Sequence, residues 1–225
     1  MGFEAIIFDC DGVLVDSEPV TLGVLRDMLA ALGWSLSADE CEALFVGKSS
    51  ANELLIIQNR IGRKLEQDWI DEFQLRRNQA LRQKLIAVPG IQECLRTLSQ
   101  HWPDKLACAS AAELSKIQLQ LTMTGLDRYF NDHLYSGVDV ALNKPYPDVY
   151  LKAAASLGVD PKRCAVIEDS ITGIESGVSA GATVLAYDNK NKPEPLLKAG
   201  ASMIFNDMKH LPDLLLRCAQ PLSKA

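Results

Sequence analysis

Apolar positions in this chain fall into short unbroken blocks separated by longer stretches of helical spacing. The first block, EAIIFD at 4–9, is a β-rich run with the length of a buried strand. Similar blocks follow at 105–110 (KLACAS), 133–137 (HLYSG), 164–169 (CAVIED) and 182–187 (ATVLAY), with SMIF at 202–205 as a sixth. Helical patterns separate them, over 90–100 after Pro89 and Gly90, over 111–123, over 147–157 after Pro147, and over 172–180. Strands alternating with helices predict an α/β fold built on a doubly wound parallel sheet.

The alternation breaks between 17 and 85. That segment reads as helix over 18–32, 38–45, 50–61 and 66–85, with Gly33, Gly47 and Gly62 as stops and no strand-like run. An all-helical insert between the first strand and the rest predicts two domains, an α/β core from 1–16 and 86–225 and a smaller helical domain from 17–85.

Composition narrows the function classes. The 225 residues are 48% hydrophobic and 23% charged, as in an ordinary globular protein. A net charge of -6 speaks against a nucleic-acid partner or an anionic membrane surface, either of which calls for a basic face. The first residues show no basic segment leading into a long apolar stretch, so no signal peptide is expected. No apolar run approaches the roughly 20 residues of a membrane span. The six cysteines (Cys10, Cys41, Cys94, Cys108, Cys164 and Cys218) form no C-x-x-C pair, and His101, His133 and His210 lie far apart. Free thiols in a reducing cytoplasm are expected, and no zinc site.

Ligands of open parallel sheets bind beyond the carboxyl ends of the strands, and there the polar residues of this chain form a set. The first strand runs into Asp9 and Asp11, the second ends in Ser110, the loop after the third reaches Lys144, and the fourth ends in Glu168 and Asp169. Carboxylate oxygens are the donors that Mg²⁺ prefers. Ser110 and Lys144 are both read as lying at helix starts, where backbone N–H groups favour an anion. Two residues apart on an extended segment, Asp9 and Asp11 could face one side. A metal, an anion cradle and a spare carboxylate point to phosphoryl transfer.

The motifs DCDGVLVDSE, Ser110, KPYPD and EDS, in that order, resemble the four motifs of the haloacid dehalogenase superfamily. The resemblance covers the whole chain, since the insert at 17–85 is similar to the α-helical cap of that superfamily's phosphatases and β-phosphoglucomutases. It implies that Asp9 is the nucleophile that forms an aspartyl-phosphate. Asp11 is implied as the acid that protonates the leaving oxygen and then the base for the attacking water. It implies Mg²⁺ held by Asp9, the backbone carbonyl of Asp11, and Asp169, with Glu168 as a further ligand or a group behind the ligands. Ser110 and Lys144 are implied to bind the phosphoryl oxygens. Superfamily dehalogenases and phosphonate hydrolases lack the second aspartate, which is present here as Asp11.

Other residues are assigned structural roles. The alternative for Glu168 is a structural acceptor for neighbouring backbone groups. Asp16 and Ser17 are read as the hinge into the insert, Cys10 as a packed thiol, and Trp34, Trp69 and Trp102 as core or rim aromatics. The basic run Arg76, Arg77, Arg82 and Lys84 reads as a solvated helix face. GKSS at 47–50 lacks the first glycine of a nucleotide-binding phosphate loop, because Glu42 stands there, and it does not follow a strand. In the superfamily this stretch faces the active site, which makes Lys48 a candidate substrate contact. A signalling receiver domain is shorter and has no helical insert. The expected function is a Mg²⁺-dependent phosphatase of small phosphorylated metabolites, sugar or sugar-acid phosphates, with a β-phosphoglucomutase-type mutase as the alternative. The mutases resembled here have a cap arginine and a histidine at positions that are Ser50 and Thr21 in this chain.

Overall fold

A computed structural model describes residues 2–46 and 50–219. The chain divides into two compact units, residues 1–15 with 87–225, and residues 16–86.

The larger unit begins with β1 (Ala5–Phe8) and a short β2 (Val15–Asp16) at the point where the chain leaves it; β3 (Ile86–Ala87) marks the return and pairs with β2 as a separate two-stranded sheet. Then follow α5 (Ile91–His101), β4 (Leu106–Ser110), α6 (Leu114–Thr124), β5 (Leu134–Ser136), α7 (Asp148–Ser156), β6 (Cys164–Glu168), α8 (Ile171–Ser179), β7 (Thr183–Tyr187), α9 (Pro193–Lys198), β8 (Met203–Phe205) and α10 (Leu211–Ala219). The main sheet has six strands in the order β5-β4-β1-β6-β7-β8, and every pair in it is parallel. The doubly wound parallel sheet expected from the blocks is the fold observed.

β1 lies in the middle, with Phe8 level with Cys108 of β4 and Ile167 of β6. A central parallel strand is covered on both faces, which is why all of Ala5–Phe8 is apolar and buried. Ala5 and Ile7 face a core with Val149, Tyr150 and Ala153 of α7 and Ile174 of α8. Phe8, one residue out of phase, meets Phe130 edge-to-face with ring centroids 6.1 Å apart. This alternation sends successive residues after β1 toward different helices. Two helices, α9 and α10, were not anticipated. α9 is only six residues long and carries Pro193 in its first turn, so periodicity has little to work on.

The smaller unit is helical: α1 (Glu18–Ala31), α2 (Ala38–Phe45), α3 (Ser50–Ile61) and α4 (Gln67–Lys84). Leu25, Leu29, Cys41, Phe45, Ile57 and Leu65 form its core, with Trp34 and Trp69 packed against it. α2 is opened by a capping box, in which the Ser37 hydroxyl accepts from Glu40 N and the Glu40 carboxylate accepts from Ser37 N. Gly33 and Gly62 adopt the left-handed conformation that ends α1 and α3; Gly47 lies outside the described residues. One correction falls here. Arg77 is buried, not solvated: its guanidinium lies 5.8 Å from the centroid of the Phe73 ring and donates to the Asn78 side chain. Arg76, Arg82 and Lys84 are exposed as expected. Among the described residues no helix is long and apolar enough to cross a membrane.

Candidate active site

Asp9, Lys144 and Glu168 form a buried knot where β1 and β6 end. The three N–H groups of the Lys144 ammonium are shared among Asp9 Oδ1 at 2.6 Å, Glu168 Oε1 at 2.8 Å, the Ala109 carbonyl at 2.9 Å and the Tyr150 hydroxyl at 2.9 Å. Tyr150 in turn donates to Glu168 Oε1 at 2.8 Å. The other oxygen of Glu168 accepts from Asp169 N, Ser170 N and the Ser170 hydroxyl. Both Glu168 oxygens are therefore engaged. The carboxylate also lies close against α8, because a side chain on Gly173 would collide with it.

Lys144 reaches this point because two loops are tied together. The Asn143 amide donates to the Ala111 carbonyl at 2.9 Å, and its oxygen accepts from Lys144 N at 2.8 Å. The Ser136 hydroxyl donates to the Ala112 carbonyl at 2.8 Å and accepts from Val138 N. Gly137 leaves the space that the Asn143 amide occupies. Ser110 is buried at the end of β4, and its hydroxyl accepts from Ala112 N at 3.2 Å. That local bond closes a turn, so Ser110 does not open a helix as expected; α6 starts only at Leu114. Nor does Lys144 open one, since α7 starts at Asp148 after Pro147. The expected pair of helix N-termini at these two residues is thus replaced by loop geometry.

Asp11 goes elsewhere. β1 stops at Phe8, and the Cys10 carbonyl accepts from Leu14 N and Val15 N, closing a turn. Across this turn the two aspartates meet different partners, Asp9 the Lys144 ammonium and Asp11 the side chains of α6. The Asp11 carboxylate is met by α6: Lys116 Nζ donates to both oxygens at 2.9 Å, and Gln120 Nε2 donates to Oδ1 at 2.7 Å. The Cys10 thiol, buried as expected, lies 3.4 Å from Gln120 Oε1. Gly12, at φ 83, runs against the Asp169 carboxylate, where any Cβ would clash. Lys48 lies outside the described residues.

Residues 3–181 match the haloacid dehalogenase-like hydrolase family. The chain belongs to that family. It is similar to Escherichia coli 6-phosphogluconate phosphatase, 29% identical over 195 residues, which covers 84% of this chain and 86% of the relative. Hexitol phosphatase B of E. coli is 30% identical over 198 residues, covering 86% and 88%. A solved haloacid dehalogenase family hydrolase from Deinococcus radiodurans, with bound phosphate and sodium, superposes with a TM-score of 0.77 at 32% identity, covering 96% of each chain.

In this haloacid dehalogenase-like hydrolase, charge and burial bear on a metal. Asp9, Glu168 and Asp169 each offer a carboxylate oxygen, and these lie within 4.8 Å of one another. Burial, together with the Glu168 and Asp11 carboxylates, pushes the Asp9 carboxyl up to about 7, although Lys144 pulls it down. Glu168 is buried too, yet Lys144, Tyr150 and Ser170 hold it below its ordinary value. Burial works against the Lys144 charge, but Asp9 and Glu168 outweigh it and its value rises. Lys144 and Glu168 are thus charged, and Asp9 is the group left short of positive charge. A hard divalent cation among oxygen donors supplies that charge, so the residues fit Mg²⁺.

Sequence reasoning missed Lys116, Gln120, Tyr150 and Asn143. Lys116 and Gln120 stand four apart, so they share one face of α6, and that spacing was the available signal. Tyr150 sits on the apolar face of α7 and reads as core.

Proposed function

We propose that this hydrolase is a Mg²⁺-dependent phosphatase of small phosphorylated metabolites, sugar or sugar-acid phosphates, acting through Asp9. The observation that carries the reading is a buried carboxylate held 2.6 Å from a lysine, with a second, separately anchored carboxylate two residues on. Asp9 attacks phosphorus: the P–Oδ bond forms, the ester P–O bond breaks, and the departing oxygen takes a proton from Asp11, which enters this step as the carboxylic acid. Asp11, now a carboxylate, accepts a proton from water, whose oxygen attacks phosphorus while the bond to Asp9 breaks. Lys144 and Ser110 bind the phosphoryl oxygens. Asp9, Asp169 and the backbone carbonyl of Asp11 would hold Mg²⁺, which supplies charge neutralisation at the transferring group. Glu168 orients Lys144 and the turn into α8, beside or behind the ligands Asp9 and Asp169.

The names of the two E. coli relatives support a phosphorylated polyol or sugar acid as substrate. Residues 17–85 are proposed as the cap domain that selects it, and Lys48 as a substrate contact there. Free thiols at Cys10, Cys41, Cys94, Cys108 and Cys164 fit a reducing cytoplasm.

The test is phosphate release from a panel of sugar, sugar-acid and polyol phosphates, first with Mg²⁺ and then with chelator. Hydrolysis that vanishes in chelator and returns with Mg²⁺ is expected, and full activity in chelator removes the metal from the mechanism. Asp9→Asn is expected to lower turnover by more than roughly 10³-fold. Near-normal turnover would leave Asp9 a ligand, with water attacking directly. Primed conversion of β-glucose 1-phosphate to glucose 6-phosphate outpacing phosphate release would make the protein a mutase.

A further inference from the structure

The contacts of Asp11 with α6 have no place in the mechanism as described so far. Lys116 grips both carboxylate oxygens, and Gln120 adds a shorter bond to one of them. Gln120 is fully buried and the Lys116 side chain is 11% exposed. The Gln120 amide is itself fixed, with the Cys10 thiol on its oxygen. So the side chain of Asp11 is held by a second layer of groups as definite as the one that holds Asp9. Its own backbone is part of a tight turn, where a free side chain would have several rotamers open to it.

We propose that Lys116 and Gln120 are positioning residues for Asp11, a dock on α6 that holds its carboxylate ready for the leaving-group oxygen. The inference rests on the phosphatase reading above, in which Asp11 serves the departing oxygen. A proton donor is effective only when it is held within hydrogen-bond reach of the atom it serves. Without the dock the Asp11 carboxylate loses the three bonds from α6 that fix its direction. The cost falls on esters that need protonation as they break. It falls much less on esters whose leaving group departs as a stable anion.

The leaving group therefore separates a positioning role from a merely structural one. kcat/KM, which reports the steps through the first bond cleavage, is measured with Mg²⁺ on the best alkyl phosphate of the panel and on p-nitrophenyl phosphate. Lys116→Met and Gln120→Leu are expected to lower kcat/KM for the alkyl ester by roughly 10- to 100-fold, part of what a general acid supplies. The loss on the aryl ester should stay below about 3-fold, because nitrophenolate needs no proton to leave. Lys116→Arg, which keeps the positive charge and can donate to both oxygens, should recover most of the alkyl-ester rate. Equal losses on both esters, or no loss on either, overturn the proposal, as does a Lys116→Arg variant as impaired as Lys116→Met. A wild-type protein that hydrolyses neither ester overturns the phosphatase reading itself, and this inference with it.

Discussion

Two aspartate–lysine pairs stand within two residues of each other at the end of β1, and they are built on different terms. In the Asp9–Lys144 pair the side chains are 10% and 4% exposed, and the lysine is shared with Glu168, which is fully buried. In the Asp11–Lys116 pair they are 25% and 11% exposed, and the lysine donates to both oxygens of one carboxylate. The first is a buried cluster in which one lysine meets two carboxylates; in the second one lysine meets one carboxylate, and the pair is partly wetted. Charge interactions strengthen as water is excluded, so the same lysine–aspartate contact has different consequences at the two places. The unbalanced cluster calls for a cation, whereas the balanced one calls only for a fixed geometry.

Removing each lysine is the most direct way to break the comparison. Lys144→Met leaves Asp9 and Glu168 buried without their shared partner and is expected to destabilise the metal-free protein by about 3–5 kcal/mol. Lys116→Met removes bonds to a carboxylate that water can still reach, and about 1 kcal/mol is expected there. Denaturant unfolding of the metal-free variants measures both. Equal losses would mean that burial does not distinguish the pairs.

The charged residues of the first cluster were legible in the sequence, but its tyrosine was not, and the second cluster was legible only in Asp11. Asp9, Asp11, Ser110, Lys144, Glu168 and Asp169 all follow directly on apolar blocks or lie in the loops after them, so a parallel sheet brings them to one edge. The blocks themselves were readable because buried strands leave little room for polar residues. Lys116, Gln120 and Tyr150 lie inside helices, and their roles depend on which helix packs beside which strand end. Periodicity does not carry that information: Tyr150 shares its face with Val149 and Ala153 and looks like core. The misplaced helix starts at Ser110 and Lys144 have a related cause. A side-chain bond at Ser110 and the Asn143 bridge hold loops in place where composition alone suggested caps.

A smaller effect sharpens the contrast through pH. Asp9 is lifted from an ordinary 3.8 to about 7, mainly by burial, so the folded metal-free protein binds that proton more tightly than the unfolded chain does. Stability must then fall as pH rises from about 5 toward 7, and level off once Asp9 is ionised in both states. Glu168, held below its ordinary 4.5, is ionised in both states across that window and adds no slope. Thermal unfolding in chelator should show a melting temperature that declines over this range in the wild type and stays flatter in Asp9→Asn. Saturating Mg²⁺ should cancel much of the decline, because it stabilises the ionised form. A wild-type profile that rises over the window would mean that Lys144 outweighs burial at Asp9.

The smallest change of side chain removes a single oxygen. The Tyr150 ring is buried against the apolar face of the sheet, and the Lys144 ammonium lies 4.6 Å from its centroid. Tyr150→Phe keeps that ring and its volume, so packing and the cation–ring attraction remain. What goes is the hydroxyl that donates to Glu168 Oε1 at 2.8 Å and lies 2.9 Å from Lys144. Glu168 Oε1 still has Lys144, and Lys144 still has Asp9, Glu168 and the Ala109 carbonyl, so no charged group is stranded. A loss of about 1.5–2 kcal/mol is therefore expected, the lower part of the range for a hydrogen bond to a charged group. Denaturant unfolding of Tyr150→Phe beside Lys144→Met reads the difference. A loss matching that of Lys144→Met would mean that the hydroxyl, and not the ammonium, holds the two buried carboxylates together.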